Sequence, residues 1–211
     1  MKYSVIILCA GSGTRTGLTY NKMLYKIEDK TVYERTIDLF LNDKRCQQII
    51  VVTKESEIEE IKQIVVHDKI TYVYGGKERQ DSVYEGLQVV SSPYVMIHDG
   101  ARPYVKKEQI GALLEGLKTH QACLLMVPCK DTIKEVRNGK VIKTLPRETL
   151  MQAQTPQAFN TDVIKKAYQK AKEEGFVATD DASLVETFSK EDVYAVMGSY
   201  ENIKITTKED L

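Results

Sequence analysis

Residues 3–22 read YSVIILCAGSGTRTGLTYNK. The segment Tyr3–Cys9 is an apolar run, the pattern of a strand buried on both faces of a sheet. Gly11-Ser12-Gly13-Thr14 then breaks the run, and two cations, Arg15 and Lys22, follow. In an open α/β sheet, ligands bind beyond the carboxyl ends of the strands. A glycine-rich turn there offers backbone N–H groups to an anion. This turn is not a dinucleotide fingerprint, because the third glycine of G-x-G-x-x-G falls on Thr16. Nor is it a P-loop, because no Gly-Lys-Ser/Thr closes it. What remains is a backbone nest with two cations, which fits a triphosphate. From this stretch alone, a strand-exit turn with solvated cations reads equally well.

Outward from this stretch the chain alternates. Thr31 caps a helix over residues 32–41, and Ile49–Thr53 is a second buried strand. Glu55–Val66 reads as a helix, Ile70–Tyr74 as a strand stopped by Gly75-Gly76, and Asp81–Val90 as a helix. Tyr94–His98 is a strand, Lys106–Leu117 a helix and Cys123–Val127 a strand. Such alternation predicts an α/β sandwich with a mostly parallel sheet. One stretch departs from it. Thr132–Leu145 alternates apolar and polar residues around Asn138-Gly139, a strong hairpin signal. It reads as a β-arm, about residues 132–146, that folds back or packs on a second subunit. Thr161–Glu174 is a helix ended by Gly175, Asp180–Phe188 a short helix, and Val193–Met197 and Ile203–Thr206 late strands. With no repeat or linker, residues 1–211 are expected to form a single domain.

Composition narrows the function. Lys+Arg and Asp+Glu number 30 each, so the chain carries no net charge, which argues against a nucleic-acid binder working by bulk charge. The longest apolar runs, Val5–Ala10 and Ala122–Val127, fall far short of the ~18 residues of a membrane span. The segment after Met1-Lys2 lacks a cleavage site, so no leader is expected. Cys9, Cys46, Cys123 and Cys129 form no Cys-x-x-Cys pair and read as reduced thiols of a cytoplasmic protein.

Further segments carry chemistry-bearing residues. Gly75-Gly76 permits close backbone approach to a flat ligand, and Ser82 offers a hydroxyl to a base edge, although Asp81 or Ser82 also serves as a helix cap. The strand Tyr94–His98 delivers Asp99 to the carboxyl edge of the sheet, where a hard oxygen ligand suits Mg²⁺. His98 reads as a hydrogen-bonded structural histidine. No Cys or His cluster marks a transition-metal site, and no Gly-x-Ser-x-Gly marks a serine nucleophile. Asp131-Thr132, Pro146-Arg147, Gln152–Gln157, Thr179–Ser183 and Asn202–Thr206 each also read as turns, caps or solvated charges. Lys204 stands out, because it interrupts an apolar stretch.

Taken in order, Ala10–Lys22, Gly75–Ser82, His98–Pro103, Gln154–Gln157, Thr179–Ser183 and Asn202–Thr206 resemble the 2-C-methyl-D-erythritol 4-phosphate cytidylyltransferases of the non-mevalonate isoprenoid pathway. The resemblance runs from Tyr3 to Leu211. It implies a Rossmann-like nucleotidyltransferase fold, a homodimer joined by the β-arm, Mg²⁺, and transfer from CTP to a polyol phosphate with release of pyrophosphate. By resemblance, Arg15, Lys22 and Lys204 are the cations of catalysis. Cys9, Ala10, Gly11, Gly13, Gly76 and Ser82 contact the nucleotide, as does Asp99, which also holds Mg²⁺. Thr132 and Arg147, from the partner's arm, and Thr155 and Thr179 contact the acceptor. The chain departs from the family at Cys9, Thr16 and Asn21, where Ala, Met and Pro are common, and the family's C-terminal helix would follow Leu211. Two other readings stay open at this level. One is a ribitol-5-phosphate cytidylyltransferase of wall teichoic acid synthesis. The other is a non-catalytic nucleotide-binding protein that has kept the fold.

Overall fold

The computed structural model of the protein describes residues 1–11 and 17–210. Gly13 and Arg15 lie outside the described residues. In chain order the first elements are β1 (Tyr3–Leu8), β2 (Lys26–Ile27), β3 (Lys30–Thr31), α1 (Val32–Leu41) and β4 (Cys46–Thr53). Next come α2 (Ile58–Ile64), β5 (Ile70–Tyr74), α3 (Arg79–Gln88), β6 (Tyr94–Asp99) and α4 (Lys107–Gly116). The second half holds β7 (Ala122–Pro128), β8 (Lys134–Arg137), β9 (Lys140–Thr144), β10 (Met151–Asn160), α5 (Thr161–Glu174), α6 (Asp181–Phe188) and β11 (Val193–Met197). Seven strands form one sheet in the order β11-β7-β10-β6-β1-β4-β5. β6, β1, β4 and β5 run parallel, β11 is parallel to β7, and β10 runs antiparallel between β6 and β7.

Side chains alternate across the pleat and sort the helices to two faces. Val5 and Ile7 point to one face, packed with Val32, Ile37 and Phe40 of α1, Ile61 of α2 and Leu113 of α4. Ile6 points to the other, packed with Val83 and Leu87 of α3, Ile164 and Tyr168 of α5 and Leu184 of α6. The α/β sandwich expected from the alternation is therefore what forms. Local signals set several boundaries. Thr31 and Glu34 form a reciprocal capping box at the start of α1, satisfying two donors that the helix itself cannot. Gly175, at φ 64°, ends α5 in the left-handed conformation that glycine adopts without cost. Asn138 and Gly139 both have positive φ, as a two-residue hairpin turn requires, and join β8 to β9 as an arm outside the main sheet.

Three expectations are corrected. The segment after β4 is helical over fewer residues than Glu55–Val66: a 3₁₀ turn, Glu55–Glu57, precedes α2. Only Ile58 and Ile61 of that stretch are buried, so too little apolar surface is covered to extend the helix. Ile203–Thr206 forms no strand. It makes a backbone bond from Ile205 N–H to Ala101 O, while Lys22 Nζ donates to the Ile205 carbonyl. β10, the longest strand described, was not expected from its Gln-rich, Pro-containing sequence. Its ladder to β7 shifts register between Ala153 and Gln157, which lets Pro156, lacking an N–H, sit inside a central strand. Among the described residues no helix is long and apolar enough to cross a membrane.

Register places the site. Leu8 pairs with Val52 on one side and Asp99 on the other, and Thr53 pairs with Tyr74. The carboxyl ends of β1, β4, β5 and β6 therefore reach one edge together. α3 is pressed against this edge: a Cβ on Gly86 would stand 2.9 Å from Ile6 Cγ2 and 3.2 Å from Val52 Cγ2. Gly86→Val is therefore expected to destabilise the fold by about 1–3 kcal/mol through overpacking, and to displace the first turn of α3 from the cleft. Urea denaturation with nucleotide-binding calorimetry checks both effects.

Candidate active site

Beyond these strand ends opens a cleft of about 540 Å³. The chain just past β1 supplies its floor through Cys9, Ala10 and Gly11. The chain past β5 and the start of α3 supply Gly76, Arg79 and Ser82, β6 supplies Asp99, and Lys22, Lys54 and Lys204 add positive charge. Eight residues singled out in the sequence thus meet here: Cys9, Ala10, Gly11, Lys22, Gly76, Ser82, Asp99 and Lys204. Thr132 and Arg147 do not line it. Both are exposed at the base of the arm, where Arg147 Nη1 donates to the Lys130 carbonyl (2.8 Å). Thr179 is exposed in the loop before α6.

Close approach explains the glycine at 76. A Cβ there would stand 2.2 Å from the Asp81 side chain, so another residue would push the loop open. The Gly76 N–H donates to Ser82 Oγ, and Ser82 Oγ–H donates to the Glu78 carbonyl (3.2 and 3.1 Å). The turn is thereby folded tightly against α3. Asn21 fixes the other wall: its side chain caps the short turn Lys22–Leu24 and donates to the Cys9 carbonyl (3.1 Å) and to Glu57 (2.6 Å).

Asp99 is the centre of charge. Lys204 Nζ stands 2.8 Å from its Oδ2, Arg79 Nε 3.3 Å from its Oδ1, and Arg102 Nε 4.0 Å from Oδ2. Burial opposes the charge, yet Arg79, then Lys204 and Arg102, hold this carboxyl well below the usual carboxylate range. Lys204 is aimed by the turn before it. Gln154 Nε2 donates to the Ser199 carbonyl (2.8 Å), Asn202 Nδ2 to the Thr155 carbonyl (2.9 Å) and Arg102 Nη1 to the Asn202 carbonyl (2.6 Å).

Thr155 sits behind Asp99 and not in the cleft. Its buried Oγ1 accepts the Asp99 N–H (3.0 Å) and contacts His98 Nδ1 (3.0 Å). His98 Nε2 lies 3.1 Å from the Arg102 carbonyl, which can only accept. Nε2 therefore carries the proton, and Thr155 donates to Nδ1. Burial pushes the His98 pKa down to about 4, so the ring is neutral and both nitrogens are engaged. Burial likewise pushes the Cys9 thiol up to about 12, which leaves it a contact surface and not a nucleophile.

Arg79 and Asp181, like Lys54 and Arg102, are given no role from the sequence and belong to this site. Arg79 lines the cleft, and Asp181 grips it from α6, 102 positions away. Nothing local signals that pairing. The bare charge of Asp181 at the first position of a helix is the usual dipole-favoured acid.

Among the described residues no group of three or more His, Cys, Asp and Glu side chains gathers as a metal cage. The donor set instead fits Mg²⁺ of the kind that uses one or two carboxylates and completes its shell with substrate phosphates and water. Asp99, ionised at the edge of a cationic cleft, is the carboxylate available for that.

A mostly parallel sheet with a cationic, glycine-lined cleft at its carboxyl edge defines a Rossmann-like nucleotidyltransferase. Comparison with known proteins carries this further. The family model described as "2-C-methyl-D-erythritol 4-phosphate cytidylyltransferase" matches residues 3–211. The protein of that name from Halalkalibacterium halodurans is 45% identical, covering 100% of this chain and 94% of its own. The one from Bacillus pumilus is 41% identical over 100% and 94%. Among solved structures, 4-diphosphocytidyl-2C-methyl-D-erythritol synthase from Anaerococcus prevotii superposes with a TM-score of 0.89 at 35% identity, covering 99% of this chain and 94% of that one. The Francisella tularensis cytidylyltransferase gives 0.85 at 34% identity, over 100% and 96%. The chain belongs to the 2-C-methyl-D-erythritol 4-phosphate cytidylyltransferase family, enzymes of the non-mevalonate isoprenoid pathway. The full-length match decides between the two acceptor families in favour of erythritol phosphate.

The charge cage around Asp99 has a pH signature. Its folded pKa lies below the ~3.9 of an unfolded aspartate, so the unfolded chain binds the proton first. Stability from this group is present above about pH 4 and is lost as pH falls through the depressed folded value, an effect on the order of 2–3 kcal/mol. Asp99→Asn is expected to flatten this acid limb. Denaturation midpoints measured from pH 7 down to pH 2.5 check it; equal slopes in the two proteins would contradict the charge cage.

Proposed function

We propose that the chain transfers the cytidylyl group of CTP to 2-C-methyl-D-erythritol 4-phosphate in this cleft, giving 4-CDP-2-C-methyl-D-erythritol and pyrophosphate. Family membership supports the reaction. The observation that carries the site is the meeting of Lys22, Lys204 and Asp99 beside Gly76 and Ser82 at the ends of β1, β5 and β6.

An oxygen of the acceptor phosphate attacks the α-phosphorus of CTP in line. The new P–O bond forms as the bond to the β-phosphate oxygen breaks, and the electron pair leaves with pyrophosphate. Two anions must be held together, and negative charge builds on the equatorial oxygens and the leaving group. Lys22 and Lys204 neutralise that charge from the cleft wall, and Arg15 acts with them by family resemblance. Preorganised cations of this kind cost no reorganisation during reaction. Lys204 exchanges its Asp99 partner for phosphate oxygens when nucleotide enters. Gly76 and Ser82 receive the cytosine, while Cys9, Ala10, Gly11 and Gly13 offer backbone to the nucleotide. Asp99 would hold Mg²⁺, which would supply further charge neutralisation.

Thr132, Arg147, Thr155 and Thr179 are assigned to the acceptor side, Thr132 and Arg147 reaching it from the arm of a second copy. Thr155 acts there through the backbone it holds. Exposed apolar side chains support a paired arm: Val136 and Val141 lie opposite each other across β8–β9 and are 53% and 55% exposed. We read residues 1–211 as one nucleotidyltransferase domain. The cysteines, all free thiols, suit a reducing cytoplasm.

Two measurements test this reading. Pyrophosphate release with CTP and Mg²⁺ is expected with 2-C-methyl-D-erythritol 4-phosphate and only weakly with D-ribitol 5-phosphate; the opposite preference would overturn the acceptor. In the same assay Lys22→Ala should lower kcat by on the order of 10²-fold with the fold intact. Separately, Val136→Glu combined with Val141→Glu is expected to convert a dimer to monomers in sedimentation velocity and to raise the acceptor KM. A monomeric parent protein would sink the arm assignment.

A further inference from the structure

Asp181 is fully buried at the start of α6, and its carboxylate is saturated by donors. Arg79 Nη1 and Nη2 reach its two oxygens at 3.0 and 2.7 Å, and the buried Tyr168 hydroxyl donates to Oδ1. The two-toothed grip fixes the guanidinium plane, and with it the Nε–H that faces Asp99 Oδ1 at 3.3 Å. Removing a carboxylate from water is costly and is offset only where its geometry is good and its oxygens are hydrogen-bonded, as they are here. Here the ion pair fixes a cation on one oxygen of the carboxylate at the centre of the cleft, while Lys204 holds the other. The Asp99 backbone is pinned separately, its N–H bound by Thr155. The orientation of the Asp99 side chain is therefore set by hydrogen bonds from Arg79 and Lys204, with Arg102 Nε farther off at 4.0 Å. Lys204 is the one that must let go when phosphate arrives, which leaves Arg79 as the cation hydrogen-bonded to the carboxylate.

We propose that Asp181 is a positioning residue for this reaction: by clamping Arg79 it holds the Asp99 carboxylate in the orientation that receives the metal–nucleotide complex. The inference rests on the reading above that Asp99 faces that complex. It also gives Arg79 a role that a lysine cannot fill, because a lysine has no fork to share between two carboxylates.

The same stretch of α3 makes a second link that separates two explanations. Gln80 Nε2 donates to the Phe176 carbonyl, and its Oε1 accepts the Ala178 N–H (2.9 and 2.8 Å). Gln80 thus holds the loop carrying Thr179 without touching Asp99.

The test compares the parent enzyme with Asp181→Asn, Arg79→Lys, the double variant Arg79→Gln/Asp181→Asn, and Gln80→Ala. Turnover, KM for CTP and for the acceptor, thermal melting, and Mn²⁺ titration of the enzyme–CTP complex by electron paramagnetic resonance are measured on each. Asp181→Asn and Arg79→Lys are expected to lower kcat and weaken Mn²⁺ retention by roughly 10- to 100-fold, the range for loss of a group that orients a metal ligand. The double variant, which removes both charges of the pair, should recover its melting temperature but not its kcat. Gln80→Ala should keep the parent KM for CTP and parent Mn²⁺ retention, any loss falling on the acceptor KM through the Thr179 loop. Recovery of turnover together with melting temperature in the double variant would reduce Asp181 to a structural role and overturn the proposal. So would a Gln80→Ala loss of Mn²⁺ retention that matches Asp181→Asn, or an Asp181→Asn enzyme within twofold of the parent in both kcat and Mn²⁺ retention. If the parent itself released no pyrophosphate, the functional reading would fail, while the Mn²⁺ titration would still report on the clamp.

Discussion

A carboxylate buried at the end of a central strand is the constraint around which this molecule is arranged. Asp99 ends β6, in the middle of the sheet, and its exposure is 7%. An uncompensated charge there would cost several kcal/mol. Compensation comes from three cations delivered by three different segments: Arg79 opens α3, Arg102 follows β6, and Lys204 arrives near the end of the chain. Each cation is itself held. Arg79 is gripped by Asp181, Arg102 bonds the Asn202 carbonyl, and Lys204 follows the turn that Gln154 and Asn202 lock. Satisfying one charge therefore orders the loops that line the cleft.

The antiparallel strand β10 follows from the same need. A strictly parallel sheet would place a strand's carboxyl end beside β6 and leave the backbone of Asp99 to its own loop. Running β10 the other way brings Gln154 and Thr155 alongside the end of β6, where Thr155 binds the Asp99 N–H and Gln154 the Ser199 turn. The register shift at Pro156 sits at this point, and shifts of this kind re-aim side chains next to sites.

How far the sequence discloses all this depends on the range of the interaction. Signals confined to a few residues are legible: the Thr31–Glu34 box, the Asn138-Gly139 turn, the Gly175 stop and the apolar run of β1. Glycine-lined loops at strand ends are legible too, whereas Cys9, Ala10 and Lys204 take their site roles from resemblance to the family. β10 was hidden because glutamine and proline are poor strand residues and only its neighbours make it one. Ile203–Thr206 reads as a strand because it is half apolar, but a strand needs a ladder, and its backbone finds one bond on Ala101. The Arg79–Asp181 pair spans 102 positions, and a single sequence carries no trace of such a pairing.

The electrostatics also explain what chemistry the cleft leaves out. His98 adjoins Asp99 in sequence and would be the natural general base, yet Thr155 and the Arg102 carbonyl occupy its two nitrogens, and burial holds its pKa down to about 4. Cys9 lines the floor with a thiol pushed up to about 12. Neither is poised near neutral pH, where proton transfer by a side chain is effective. A hydroxyl or water nucleophile would need such a base. A phosphate acceptor does not, because it arrives already ionised, and its difficulty is repulsion from the triphosphate it must approach. Among the described residues the cleft is rich in cations and neither His98 nor Cys9 is set to act as a base, an arrangement that suits an anionic nucleophile.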